Sequence, residues 1–129
     1  MADQKKAQPN KEWEVEYTDE FETWWNGLTV PEQEDTASVV GVLRENGPGL
    51  RRPYVGPIVT SKHGNMKELI IQHKGSPYRV LFAFDPRRTA ILLIGGDKTG
   101  NNLWYEQFVP VADGLYDNHL KQLKKEGLI

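Results

Sequence analysis

Between residues 66 and 94 the chain falls into three apolar-rich runs separated by turn residues. Met66-Lys67-Glu68-Leu69-Ile70-Ile71 leads into His73-Lys74-Gly75-Ser76-Pro77. Tyr78-Arg79-Val80-Leu81-Phe82-Ala83-Phe84 then meets an Asp85-Pro86-Arg87-Arg88 turn, and Thr89-Ala90-Ile91-Leu92-Leu93-Ile94 follows. Short runs of β-branched and aromatic residues bounded by Gly, Pro and Asp predict three strands joined as a meander. Gly95-Gly96-Asp97-Lys98 is expected to end the third strand, where the glycines let the backbone leave the sheet beside a ligand.

Upstream, Trp13-Glu14-Val15-Glu16-Tyr17 alternates apolar and polar, the pattern of a half-buried strand. Thr18 or Asp19 is suited to cap a short helix, with Phe21, Trp24, Trp25 and Leu28 at helical spacing and Gly27 at its end. Pro31 fits the first turn of a second helix, whose Glu32, Glu34 and Asp35 sit where the helix dipole favours anions. Its buried stripe is expected at Ala37, Val40 or Gly41, and Leu43, and Asn46-Gly47-Pro48-Gly49 stops it. Residues 50–65 read as a loop with a short extended piece. Pro110 is expected to open a last helix with Ala112, Leu115, Tyr116, His119, Leu120 and Leu123 along one side. The order β-α-α-β-β-β-α, with strands meeting through hairpins, defines an α+β class: two N-terminal helices, a largely antiparallel sheet and one C-terminal helix.

A chain of 129 residues is of a size for one core-bearing domain. The polar residues 1–11 read as a flexible tail ahead of a single domain over 12–129. The absence of cysteine excludes disulfides, thiolate catalysis and cysteine-held zinc, and fits a reducing cytoplasm. No apolar run approaches the ~20 residues that span a bilayer, so no membrane association is expected.

The net charge of −2 hides a division along the chain. Residues 1–43 hold ten acids and three bases, whereas residues 44–98 hold ten bases and four acids. That basic middle points to an anion-binding face, with solvated strand edges as the alternative account. Arg79, Lys98 and at least one of Arg51, Arg52, Lys62 or Lys67 are then expected on a common concave surface.

Arg79 lies among apolar strand neighbours, where its planar fork is preorganised for a phosphate. Pairing across the sheet with Glu68 is the structural alternative. Lys98 ends the same sheet. Tyr105 and Trp104 are candidates for stacking on a base, with core packing the stronger account for Trp104. His63 and His73 flank the first meander strand and are candidate phosphate contacts. The three histidines show no metal-ligand spacing, and Gly95-Gly96-Asp97-Lys98-Thr99-Gly100 lacks the spacing of a nucleotide-binding P-loop.

The ordered series Lys67-Glu68-Leu69, Tyr78-Arg79-Val80-Leu81-Phe82-Ala83-Phe84-Asp85-Pro86, Ala90-Ile91-Leu92-Leu93, Gly96-Asp97-Lys98, Trp104-Tyr105 and Pro110-x-Ala112-Asp113-x-Leu115-Tyr116 resembles the RelE/ParE toxin superfamily, in its HigB-like, phage-associated branch. The resemblance runs from Glu12 to Lys121. It implies a toxin of a type II toxin–antitoxin pair that cleaves mRNA on the ribosome without a metal or other cofactor. The partner it implies is a cognate helix-turn-helix antitoxin. Arg79, Lys98 and Tyr105 then fall on the family's catalytic positions, and Lys67 lies on the strand where RelE carries lysines. With His63, His73 and Trp104 from the reading above, Lys67 makes up the candidate substrate contacts. Two other readings fit the same fold: a ParE-like gyrase inhibitor, and a non-catalytic interaction module of phage origin. Many relatives carry an arginine after the Glu-Leu pair, where this chain has Ile70. Strand alternation also puts Lys67 on the face opposite Met66, Glu68 and Ile70.

Overall fold

The computed structural model describes residues 12–129, so the expected tail at residues 1–11 lies outside the described residues. Strand β1 (Val15–Tyr17) leads through helix α1 (Asp19–Asn26) and helix α2 (Val30–Asn46) to β2 (Val55–Pro57). The meander β3 (Lys67–His73), β4 (Ser76–Phe84) and β5 (Ala90–Asp97) follows, and α3 (Trp104–Lys125) ends the fold. The five strands form one sheet in the order β1-β5-β4-β3-β2, parallel only between β1 and β5. The α+β class and the mainly antiparallel sheet are as the sequence implied.

Strand alternation sorts the core onto the two faces. Leu69, Ile71, Tyr78, Val80, Phe82 and Leu92 pack beneath α1 and α2, with Phe21 and Leu43 from the helices. Met66, Leu81, Ala83, Ile91 and Leu93 pack beneath α3, against Trp104, Val109, Ala112 and Tyr116. A bulge between Leu81 and Phe82 keeps both patterns in register as the sheet twists.

Side chains pin the helices to this sheet. Thr18 caps α1 by accepting from the Phe21 amide at 3.0 Å, and its hydroxyl donates to the Leu93 carbonyl at 2.6 Å. Thr29 and Glu32 close a capping box on α2. The buried stripe of α2 passes through Thr36 rather than Ala37, which is exposed. Thr36 is tolerated there because its hydroxyl donates to the Glu32 carbonyl within the helix.

Two other expectations are corrected. Helix α3 begins at Trp104, so Pro110 sits inside it rather than at its start. Trp104 and Val109 are buried and draw the earlier turn onto the sheet. Pro110 and Glu106, whose carbonyl loses its helical donor, lie on the solvent side. Strand β5 also continues through Gly95 and Gly96 instead of leaving the sheet. Their missing side chains make room for two indoles. A Cβ on Gly95 would lie 2.3 Å from the Trp24 ring, and one on Gly96 2.6 Å from Trp104. Both glycines therefore serve packing across a sheet held on two faces. Gly95→Ala and Gly96→Ala are each expected to cost about 1–3 kcal/mol from overpacking, read as a lower midpoint in urea melts at unchanged slope.

Candidate functional site

Arg79 lies near the start of β4, on the α3 face, with Ile70 of β3 and Gly96 of β5 directly across the ladder. Glu68 is two residues along β3 on the same face, and 6% of its surface is exposed. Arg79 Nε comes 3.2 Å from Glu68 Oε1, and Nη1 donates to the Tyr78 carbonyl at 3.0 Å. The Nε contact is close in distance but poorly aligned. It is an ion pair rather than a hydrogen bond, and it leaves that buried N–H without an acceptor.

The first turn of α3 brings Tyr105 to the same carboxylate, its hydroxyl donating to Glu68 Oε1 at 2.5 Å. Burial, followed by this hydrogen bond, raises the Tyr105 phenol above its usual range. It is therefore a neutral O–H near neutral pH.

Lys98 is placed by the end of the ladder. Its amide donates to the Pro77 carbonyl at 3.0 Å, and Asp97 fastens the next turn by accepting from Thr99. The Lys98 ammonium then stands 5.5 Å from the centre of the Tyr105 ring, a cation–π contact.

A third cation arrives from the loop before β2. A Cβ on Gly56, which pairs with Glu68, would lie 2.9 Å from the Arg52 guanidinium and 3.3 Å from Glu68 Oε2. Arg52 thus reaches over the bare Cα of Gly56 toward the second oxygen of Glu68. Arg79 and Tyr105 meet one carboxylate at the open end of the sheet, with Arg52 over Gly56 beside it and Lys98 against the Tyr105 ring.

The remaining sequence candidates lie elsewhere, each for a visible reason. Lys67 points to the opposite face, and its ammonium reaches the Pro48 carbonyl at 3.4 Å. His73 is also on that face and is held by Asp35 of α2 at 2.6 Å. His63 sits at the far end of β4, 2.7 Å from Asp117 of α3 and edge-on to Tyr116. Trp104 is 2% exposed and lies on Gly96, so it is core rather than a stacking platform.

The basic middle is likewise not one continuous surface. Arg87 is spent on Asp85 and Glu16, and Lys62 on Asp117. Glu68 is the residue that sequence reasoning cast only as a structural partner of Arg79. Its signal was an acid inside an apolar strand two positions from the ladder partner of an arginine. Among the described residues no cluster of His, Asp and Glu is arranged to hold a metal. A groove of about 410 Å³ between β1, α1 and α2 contains none of these side chains. The chemistry sits instead on an open floor.

The fold is that of the RelE toxins. The structure aligns with the free Escherichia coli toxin RelE, an arginine-to-alanine double mutant, at a TM-score of 0.53. That match covers 74% of this chain and 93% of RelE at 11% identity. The match to the archaeal RelE–RelB complex of Pyrococcus horikoshii has a TM-score of 0.51, covering 70% of this chain and 98% of that one at 14% identity. Sequence carries the relationship further. Residues 23–117 match the family described as phage-derived protein Gp49-like (DUF891). Two Mycobacterium tuberculosis proteins bearing toxin names are similar over 78% of this chain: HigB2 at 42% identity and HigB3 at 41%. The alignment spans 51% of HigB2 and 88% of HigB3. The chain belongs to this Gp49-like family, and its curated relatives are HigB-like.

Proposed function

We propose that this protein is the toxin of a type II toxin–antitoxin pair and acts as a metal-independent endoribonuclease on mRNA in the ribosome. The observation that carries the reading is the convergence of Arg79, Glu68 and Tyr105 on one point of the floor, with the Lys98 ammonium beside the Tyr105 ring. Such a set holds positive charge, a carboxylate and a neutral phenol within reach of one phosphodiester.

The cluster contains what a 2′-hydroxyl attack requires. Glu68 is the carboxylate at its centre and takes the 2′-proton as the 2′-oxygen bonds to phosphorus. Arg79 and Lys98 stabilise the charge that builds on the non-bridging oxygens. Tyr105, kept protonated by burial and by Glu68, gives its proton to the departing 5′-oxygen as the P–O5′ bond breaks. A cyclic 2′,3′-phosphate and a free 5′-hydroxyl result. Ile70, where many relatives have arginine, stands directly across the ladder from Arg79, and Arg52 supplies a positive charge from the neighbouring loop.

The partners follow from family membership. RelE of P. horikoshii is found in complex with RelB. A small helix-turn-helix antitoxin encoded beside this chain is the corresponding partner, with both proteins acting in the cytoplasm. Among the described residues no helix is long and apolar enough to cross a membrane.

The test is cleavage of a defined message by purified protein, with and without translating ribosomes. Cuts mapped within the ribosome-bound message support the reading. An intact message together with blocked DNA gyrase supercoiling would replace it with gyrase inhibition. Tyr105→Phe removes the proton donor and is expected to slow cleavage about 100-fold, with circular dichroism unchanged.

A further inference from the structure

We propose that the groove at the outer edge of β2 is a second phosphate subsite. It takes the backbone of single-stranded RNA beside the scissile nucleotide, and the proposal rests on the nuclease reading above. The groove encloses about 370 Å³ and is lined by Arg51, Arg52 and Lys67 with Leu50, Val55 and Pro57. Among the described residues none of the three cations has a carboxylate within 4 Å, whereas Lys62, Arg79 and Arg87 are each paired. Among the described residues the Lys67 ammonium meets only the Pro48 carbonyl, at 3.4 Å.

The sheet brings these charges together despite their opposite faces. Lys67 and Glu68 alternate across β3, but β2 is only three residues long and is the edge strand. A ligand passing over that edge meets Lys67 from one face and Arg52 from the other. Arg52 is the link, because the absent side chain of Gly56 lets its guanidinium turn toward Glu68. The positive path therefore runs from Lys67 through Arg51 and Arg52 to Arg79. Pro57 has no N–H to offer an added strand, so this edge presents cations more readily than a hydrogen-bonding ladder.

Distance decides which phosphate the groove takes. From β4 to β2 is two inter-strand steps, about 10 Å. That lies beyond contact with a phosphate seated on Arg79 and suits a neighbouring one along an extended strand. The leucine and valine of the floor give the intervening ribose or base an apolar surface.

The experiment uses the full chain and a 2′-O-methyl oligoribonucleotide, which binds but cannot be cut at its 2′-oxygens. Fluorescence anisotropy gives the association constant against salt for the parent and for the double variant Arg51→Ala/Lys67→Ala. Each lost phosphate contact lowers the slope of log K against log salt by about 0.7 on a single strand. The double variant strips two cations from that one phosphate and should therefore lower it by about 0.7. On ribosome-bound message it should raise KM while leaving kcat unchanged. An unchanged slope in a folded double variant overturns the subsite even if cleavage is confirmed. A reduced slope with wild-type protein that never cuts supports the groove as a nucleic-acid site and overturns the nuclease reading instead. Gly56→Ala is the second variant, crowding Arg52 without removing a charge. It should weaken oligonucleotide binding, and parental affinity in a folded Gly56→Ala protein would remove Arg52 from the path.

Discussion

Arg79→Ala is expected to reduce message cleavage on ribosomes by two to three decades. A single preorganised donor to a developing oxyanion is worth about 3–4 kcal/mol, and each 1.36 kcal/mol is a factor of ten in rate. The substitution also acts on the fold. It leaves Glu68, 6% exposed, without the cation 3.2 Å away, and only Tyr105 still donates to that oxygen. Arg79→Ala should therefore melt earlier as well as cleave more slowly. In melts, Arg79→Ala/Glu68→Gln removes the stranded charge and should recover stability. Its cleavage also reports the loss of the base Glu68, so the clamp is read from Arg79→Ala and Arg79→Lys at a temperature where both are folded. Arg79→Lys keeps the charge but loses the planar fork, and should retain an intermediate rate. Single-turnover cleavage and thermal melts of the four proteins decide the matter. Parental cleavage by a folded Arg79→Ala protein would show that the phosphate is clamped by another group.

The largest loss of stability is expected at the other end of the sheet, from Asp85→Ala. The Asp85 carboxylate is fully buried in the β4–β5 turn. It accepts from Arg87 at 2.8 and 3.0 Å, from the Arg87 and Thr89 amides, and meets His119 of α3 at 2.8 Å. Arg87 continues to Glu16 of β1 at 2.8 Å, so one side chain joins the first strand, the central hairpin and the last helix. Removing it leaves the Arg87 and Thr89 amides and His119 without their acceptor, while Arg87 keeps Glu16, and should cost about 3 kcal/mol from donors left unpaired.

Protonation makes a second, independent test. Burial opposes ionisation of Asp85, but the His119, Arg87 and Thr89 contacts outweigh it and hold its pKa below the usual carboxylate value. A folded-state pKa below the unfolded one gives stability that is complete above the unfolded value, near pH 4. It is lost as pH falls through the folded value. Asp85→Asn should therefore flatten the acid limb of the stability curve. A limb as steep as the parent's would show that other carboxylates govern acid unfolding.

The sequence made the local elements legible because their signals are local. Thr18 and Thr29 cap, Gly27 and Gly47 end helices, and alternation within each meander strand assigns its two faces. The errors came where a distant side chain decided. Gly95 and Gly96 look like a strand's end until Trp24 and Trp104 are known to fill their places. Pro110 looks like a helix start because the true start, at Leu103, has no side-chain cap. At the candidate site, Arg79, Lys98 and Tyr105 were named from the strand pattern and the family series, and the fold sets them near one another. His63 and His73 lie apart from that cluster because Asp117 and Asp35, 54 and 38 residues away, hold them. Glu68 was seen only as a pairing residue, since nothing in the linear chain shows Tyr105 arriving at the same oxygen.

The parallel pairing of β1 with β5 also sets the order of assembly. Val15 pairs with Ala90, and Thr18 donates to a carbonyl 75 residues further on. At the ~5–20 residues per second of translation, that partner emerges about 4–15 s after β1. In the interval β4 lacks one neighbour, Gly96 is not yet opposite Arg79, and neither Lys98 nor Tyr105 has been made. Such non-local closure is slow relative to helix formation. A nascent chain thus carries Arg79 without the floor that would arm it until Lys98 and Tyr105 have also been made.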